Sequence, residues 1–310
     1  MDPLDLIQKG KISRYFRATR KLNTPNLVSH ITQRAAGREP LFIEDGDYLL
    51  MLALLKEIAG KYSLKVFSFC LMPNHVHLLL SPKEANLYDA MRDLFSRYAV
   101  GFNRKYERKG HLFSGPYRQS VCLDDRYLLA ASLYIHLNPL KAAIKNDPRH
   151  YRWSSVRLFC EDRAPKSFVS PDLILGLLSK NKRESKSEYQ RLLTEGSDIE
   201  TEHVLEQEDA IERFCSKLVS LFPRFFRQVD IKKHIASTSG IDLPSMEVLE
   251  RQIENIKISR FPFKNPESQA ARKFVIEQLI ARGFKRKEIA EKLGVSRKTV
   301  YNILKLNINN

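Results

Sequence analysis

Two histidines separated by a single residue lie in the segment Leu71–Leu80, LMPNHVHLLL. In an extended chain successive side chains alternate between faces, so His75 and His77 share one face while Val76, Leu78 and Leu80 turn to the other. Two imidazoles placed in this way are a ready pair of divalent-metal ligands, although a metal site normally needs a third protein ligand. A suitable donor lies in Arg126–Lys141, RYLLAASLYIHLNPLK. There Tyr134 and Asn138 are four residues apart and lie one above the other on a helix. Asn138 offers a neutral carbonyl oxygen. Two imidazoles and one carbonyl leave positions open for Mg²⁺ or Mn²⁺ bound to a phosphodiester. Tyr134 then stands where a nucleophile is wanted, but on the residues alone an amphipathic core tyrosine is the better reading, since most helix tyrosines are packing residues. Tyr127, two turns earlier on the same face, is a rival. His136 points elsewhere and reads as a packing or DNA-contacting side chain. Pro139 biases Asn138 away from the α region, so the pairing depends on the last helical turn surviving.

The elements that must position these groups are legible in the surrounding pattern. Pro25–Gln33 reads as a strand, followed by a loop containing Gly37 and Pro40. Asp47–Tyr62 has apolar residues at helical spacing, with Asp45 or Asp47 as its cap. Lys65–Phe69 and His75–Leu80 are strand-like runs parted at Pro73-Asn74. Leu87–Tyr106 carries the apolar stripe Met91, Leu94, Phe95, Tyr98 and Phe102 of a second helix. Gly110–Val121 reads as loop and strand, and Asp125–Leu137 as a third helix stopped near Pro139. Strands alternating with helices predict one α+β or α/β domain up to about Phe159.

The composition then shifts. Ser179–Ser187 is polar, and Glu195–Glu212 holds eight acidic residues with no lysine or arginine. This stretch reads as a linker or a solvated helix face near a domain boundary. Beyond it the chain reads as almost entirely helical. Gly283–Leu304, GFKRKEIAEKLGVSRKTVYNIL, has the helix-turn-helix pattern. Ile289, Ala290 and Leu293 form the buried face of a short helix, Gly294 supplies the positive φ of the turn, and Val295 packs between the helices. Ser296 is placed to cap a second helix. In that helix Val300, Ile303 and Leu304 face inward, while Arg297, Lys298, Thr299 and Asn302 face outward toward a DNA major groove. Arg282–Lys305 contains eight Lys/Arg against two Glu.

Net charge narrows the partners. The chain of 310 residues has 52 Lys plus Arg against 36 Asp plus Glu, a net charge of +16 that selects polyanions. Arg92, Arg97, Arg104, Lys105, Arg108, Lys109 and Arg118 alternate with Phe95, Tyr98, Phe102, Tyr106, Phe113 and Tyr117. Such a mixture can neutralise phosphates and stack on unpaired bases, although Phe95 and Phe102 also fit the buried stripe of their helix. The longest uncharged apolar run, Tyr48–Leu55, is far short of the roughly 20 residues of a membrane span. The acidic start Met1–Asp5 lacks the apolar region of a secretion signal. Cys70, Cys122, Cys160 and Cys215 form no CxxC, as expected of reduced thiols in a cytosol.

Taken together, PNHVHLLL, GHLFSGPYRQS, DRYLLAASLYIHLNPLKA and YRWSSVR resemble the single-tyrosine HUH transposases, in particular the branch called REP-associated tyrosine transposases. The resemblance covers about Ser29–Phe159. It implies a ferredoxin-like or RRM-like antiparallel sheet with helices, the HUH nuclease fold, here followed by an all-α region ending in the helix-turn-helix. It also implies that His75, His77 and Asn138 bind Mg²⁺ or Mn²⁺ and that Tyr134, not Tyr127, is the nucleophile. The implied reaction nicks and rejoins single-stranded hairpin or palindromic DNA through a 5′-phosphotyrosine. Pro116 departs from the basic residue expected after Gly115, with Arg118 as its substitute. The organisation expected is a catalytic domain at 1–178, a linker at 179–212, a helical region at 213–265 and a helix-turn-helix domain at 266–310. The partners expected are single-stranded hairpin DNA at the first domain and duplex DNA at the last, with no membrane. The protein is expected as a monomer or homodimer on the nucleoid of a bacterial cytoplasm. The competing reading is a catalytically silent, domesticated relative acting as a sequence-specific DNA-binding regulator.

Overall fold

A computed structural model of the chain describes residues 15–16, 21–37, 39–122, 124–164, 166–199, 210–229, 246–258, 265–281, 284 and 286–305. Two compact units emerge. One runs from Arg17 to Ile241, and the other joins Met1–Phe16, which includes the two-residue strand β1 (Tyr15–Phe16), to Asp242–Asn310.

The Arg17–Ile241 unit is built on four antiparallel strands, β2 (Ser29–Arg34), β3 (Leu64–Met72), β4 (His75–Pro82) and β5 (Arg118–Val121), in the spatial order β5-β2-β4-β3. Helix α1 (Asp45–Lys61) links β2 to β3, α2 (Leu87–Lys105) links β4 to β5, and α3 (Asp125–Lys141) follows β5. Residues directly opposite one another in antiparallel strands share a face. His77 lies opposite Thr32 on one side and Cys70 on the other, and His30 lies opposite Ser120. These residues therefore mark one face of the sheet, the face that α3 covers. Ile31, Gln33, Val76 and Leu78 alternate onto the other face, beneath α1 and α2. The first turn of α1 is fixed by a reciprocal box between Glu44 and Asp47, so Glu44 occupies the cap position expected of Asp45 or Asp47. Asp47 accepts from the Ile43 and Glu44 amides and binds Lys105 and Tyr106, which ties α1 to the end of α2.

Helix α3 begins at Asp124, whose carboxylate accepts the Tyr127 amide at 2.7 Å. It does not stop near Pro139 but continues to Lys141. Proline removes one hydrogen bond from a helix interior, and here burial of Leu137, Asn138 and Pro139 offsets that loss. Lys141 holds the final turn by donating from Nζ to the carbonyls of Ser197, at 2.7 Å, and Ile199. The stretch expected as a linker is partly structural. After the short helices α4 (Val156–Cys160) and α5 (Asp172–Leu175), helix α6 (Lys182–Gly196) buries Tyr189, Leu192 and Leu193. Its apolar stripe is so narrow that overall composition hides it. Tyr189 Oη meets Ser132 Oγ at 2.8 Å and His136 Nδ1 at 2.7 Å, while His136 Nε2 meets Ser155 Oγ at 2.8 Å. His136 is thus a fully buried packing residue and not a DNA contact. Most of the acidic stretch, residues 200–209, lies outside the described residues.

The segment 213–265 does not form one region. Helices α7 (Ala210–Leu221) and α8 (Pro223–Gln228) bury Phe214, Leu218 and Phe226 in the core of the Arg17–Ile241 unit. Helix α9 (Met246–Ile258) instead packs with α10 (Pro266–Ala281) and α11 (Arg286–Leu293) in the other unit, which α12 (Arg297–Lys305) completes. Gly294 has φ +65° between α11 and α12, as a sharp helix-to-helix turn requires. A chain ending at residue 178 loses Tyr189, Leu192, Leu193, Phe214 and Leu218. At about 1.5–3 kcal/mol for each buried side chain, the loss rivals the ~5–15 kcal/mol net stability of a whole domain. Such a chain is expected to lack a cooperative thermal transition, whereas a chain ending at residue 241 retains one, as calorimetry will report.

Candidate active site and DNA-facing surfaces

Strand β4 carries His75 and His77 onto the face under α3, and both are buried. Their rings stand edge to face with centroids 4.8 Å apart. His75 Nδ1 lies 2.7 Å from Asn74 Oδ1, an acceptor, so its proton sits on Nδ1 and its lone pair on Nε2. His77 Nδ1 lies 2.9 Å from Nε2 of His30, a residue of β2 whose ring stacks on it. The other ring nitrogen of His77, Nε2, is buried and turned toward the Asn138 side chain, so His30 and Asn138 hold the ring from its two sides. Burial pushes the pKa of His77 well down, with His75 and His30 adding to the effect and Asn138 opposing it. Burial likewise holds His30 at about 3. Both rings are therefore neutral near pH 7, the form in which imidazole binds metals.

His30 plays the part that partner groups take around metal-binding histidines, fixing ring orientation from outside the ligand set. Sequence reasoning missed it. Its only signal is period-two alternation, which puts His30 on the same face of β2 as Thr32, the residue opposite His77.

Helix α3 brings Tyr134 and Asn138 to the same place. The Tyr134 ring lies edge-on to His77 with centroids 6.3 Å apart. Asn138 donates from Nδ2 to the Tyr134 carbonyl at 2.9 Å, which leaves its amide oxygen as the group that a cation can use. The final turn that this geometry needed has survived Pro139. Phe214 of α7 packs edge-on against Tyr134 at 5.8 Å, so the tyrosine is only 5% exposed. Tyr127 lies seven residues earlier, roughly 10 Å along the axis. Its hydroxyl is engaged 2.5 Å from Ser120 Oγ on β5. The structure thus brings together His75, His77, Tyr134 and Asn138 and puts Tyr127 elsewhere. Two imidazoles and a neutral amide oxygen brought together in this way fit a divalent cation, even though no cluster of three His, Cys, Asp or Glu exists among the described residues.

The basic residues of α2 and its loop divide by partner. Arg97 forms two hydrogen bonds with Glu57, Lys105 binds Glu44 and Asp47, and Arg108 binds Glu39. These charges are neutralised within the fold. Arg92 is exposed, pairs with Asp89 at 2.9 Å and lies over the Tyr88 ring. Arg104 and Lys109 are exposed, while Arg118 is half-buried on the histidine face. Phe95 and Phe102 are buried, in keeping with a core stripe.

In the C-terminal unit Ser296 caps α12, accepting the Thr299 amide at 3.0 Å. Ile289, Ala290, Leu293, Val300 and Ile303 are buried, while Arg297, Lys298 and Asn302 are exposed. Thr299 is half-buried, with its hydroxyl 2.8 Å from that of Ser296, so it serves the cap.

In comparison with known proteins, residues 23–138 match the family model described as "Transposase IS200 like", and residues 268–308 match the one described as a homeodomain-like domain. No curated protein matches the chain. Among solved structures, a REP-associated tyrosine transposase bound to a REP hairpin aligns at 11% identity with a TM-score of 0.41, covering 50% of this chain and 98% of that one. No helix among the described residues is long and apolar enough to cross a membrane. Residues 23–138 thus resemble an IS200-like transposase domain, and residues 268–308 a homeodomain-like, helix-turn-helix domain.

Proposed function

We propose that the chain is a transposase that cleaves and rejoins single-stranded, hairpin-forming DNA through Tyr134, with a divalent cation held by His75, His77 and Asn138. The observation that carries the reading is the convergence of His75, His77, Asn138 and Tyr134 under α3, with Asn138 against the buried ring of His77 and Tyr134 edge-on to it. A bound Mg²⁺ or Mn²⁺ supplies Lewis-acid polarisation of the scissile phosphate. Tyr134 Oη attacks phosphorus, the bond from phosphorus to the 3′ oxygen breaks, and that oxygen leaves with a proton as a free 3′-OH. The 5′-phosphotyrosine retains the phosphodiester energy, so attack by a second 3′-OH restores a DNA strand without ATP. His30 holds the His77 ring in place, and α7 shields Tyr134 from water.

The donor set bears no formal charge, because imidazole binds a cation in its neutral form and the amide is neutral. A cation there gains its neutralising charge from the DNA phosphate, so metal and DNA bind cooperatively. At the far end of the chain, the exposed Arg297, Lys298 and Asn302 of α12 contact duplex DNA, and exposed Arg104 and Lys109 contribute phosphate contacts to the first domain.

The decisive experiment concerns the nucleophile. Tyr134→Phe is expected to abolish the covalent protein–DNA adduct and leave the thermal midpoint within a few degrees of wild type, while Tyr127→Phe retains the adduct. Peptide mass spectrometry should locate the phosphonucleotide on Tyr134; finding it on Tyr127, or cleavage without any adduct, overturns the proposal. For the metal, calorimetric titration of Mn²⁺ should show binding about tenfold tighter in the presence of an uncleavable hairpin, a typical coupling between sites. His77→Ala should lose both that binding and cleavage, yet bind the hairpin within about tenfold of wild type, because phosphate contacts dominate affinity.

A further inference from the structure

The opposite face of the sheet holds a second feature that the cleavage chemistry does not use. A groove of about 590 Å³ opens between α2 and the loop 110–117, within the roughly 300–1,000 Å³ range of pockets that enclose small ligands. Gln33 lines it, and Gln33 alternates with Thr32 onto the face away from His77. We propose that this groove takes an unpaired nucleotide of the single-stranded DNA substrate, its base against the aromatic wall and its phosphate at Lys21. The inference rests on the reading of the chain as a single-strand transposase and adds a recognition site to it.

Three observations carry it. First, the hydroxyl of Tyr117 is buried in the groove wall with no hydrogen-bond partner, although the residue is 95% buried by its 5% exposure. A native fold rarely leaves such a group unsatisfied without a ligand or a bound water to claim it. Burial pushes the Tyr117 pKa up, so the group is a neutral donor suited to a base carbonyl, a ring nitrogen or a phosphate oxygen. Second, the wall is aromatic: Phe95 packs edge-on to Phe113 at 5.4 Å and beside Tyr117 at 6.4 Å, and Tyr88 stands half exposed at the rim. Base faces stack on such rings only when the base is unpaired. Third, a cation stands at the groove: Lys21 Nζ sits 3.5 Å from the Tyr117 ring centroid, while Arg92 at the rim is paired with Asp89. Burial holds Lys21 down at about 8, the condition of an ammonium that an anion would relieve. Gly110, at φ +94°, lets the loop turn beside the groove in a conformation that a side chain would strain.

The test uses the full chain and a fluorescent single-stranded oligonucleotide that carries 5-iodouracil at its unpaired positions. Tyr117→Phe should weaken single-strand binding about three- to tenfold, the loss of one hydrogen bond, with a thermal midpoint equal to or above wild type because no orphaned hydroxyl remains. Photocrosslinks in the wild type should fall on peptides from Tyr88 to Tyr117. Lys21→Gln should lower the slope of log affinity against log salt by about one. Unchanged affinity in Tyr117→Phe, or weaker binding accompanied by a lowered midpoint, overturns the groove, as do crosslinks confined to peptides bearing His75 or Tyr134. A wild-type chain that binds DNA and forms the Tyr134 adduct while Tyr117→Phe behaves identically removes the groove alone. A wild-type chain that binds no single-stranded DNA removes the transposase reading and the groove together.

Discussion

Helix α3 is buried on all sides, and this sets the terms for the whole Arg17–Ile241 unit. A helix without a solvent face has its rotation fixed by its surroundings, so any polar group on it must find a partner inside the protein. His136 does so through Tyr189 on one ring nitrogen and Ser155 on the other. Ser155 Oγ in turn accepts the Phe69 amide of β3 at 2.9 Å. One chain of hydrogen bonds thus runs from α6 through α3 to the sheet. With the helix held at that rotation, Tyr134 and Asn138 face His77, and Tyr127 faces Ser120. The chemistry assigned to the site depends on this setting more than on any single contact within it.

Electrostatics divide the molecule in the same practical way. The chain carries +16 overall, yet its candidate metal site centres on His77, which burial keeps neutral. Several arginines and lysines of α2 are already paired within the fold, because Glu57, Glu44, Asp47 and Glu39 sit across from them. The pairs exposed at both ends, such as Arg97–Glu57 and Lys105–Glu44, are worth about 0–1 kcal/mol each to stability. Cations exposed and without an acidic partner among the described residues include Arg104 near the end of α2, Lys109 after it, and Arg297 and Lys298 on α12.

The two faces of the sheet have different work. Period-two alternation sends His30, His75 and His77 toward α3, and sends Gln33 and Val76 toward α1 and α2. A single strand of DNA that reaches both faces would be cut on one and read on the other, so that recognition and chemistry could be altered independently by substitution.

Much of this was determined locally and was therefore legible in the sequence. The alternation at His75-Val76-His77, the four-residue spacing of Tyr134 and Asn138, and the turn at Gly294 with its Ser296 cap each depend on neighbours within a few residues. The order of strands and helices followed from the same short-range patterns. Other features were decided only by the tertiary structure. Pro139 stands inside a helix because burial and Lys141 outweigh its missing amide, and those partners lie almost 60 residues away at Ser197 and Ile199. The segment 182–196 reads as polar linker by composition, yet its narrow stripe of Tyr189, Leu192 and Leu193 becomes core once α3 is there to receive it. His30 joined the site, and Arg97, Lys105 and Arg108 left the DNA surface, through partners distant in sequence. Local periodicity sets which face a side chain takes, but which group stands across from it depends on how distant segments pack.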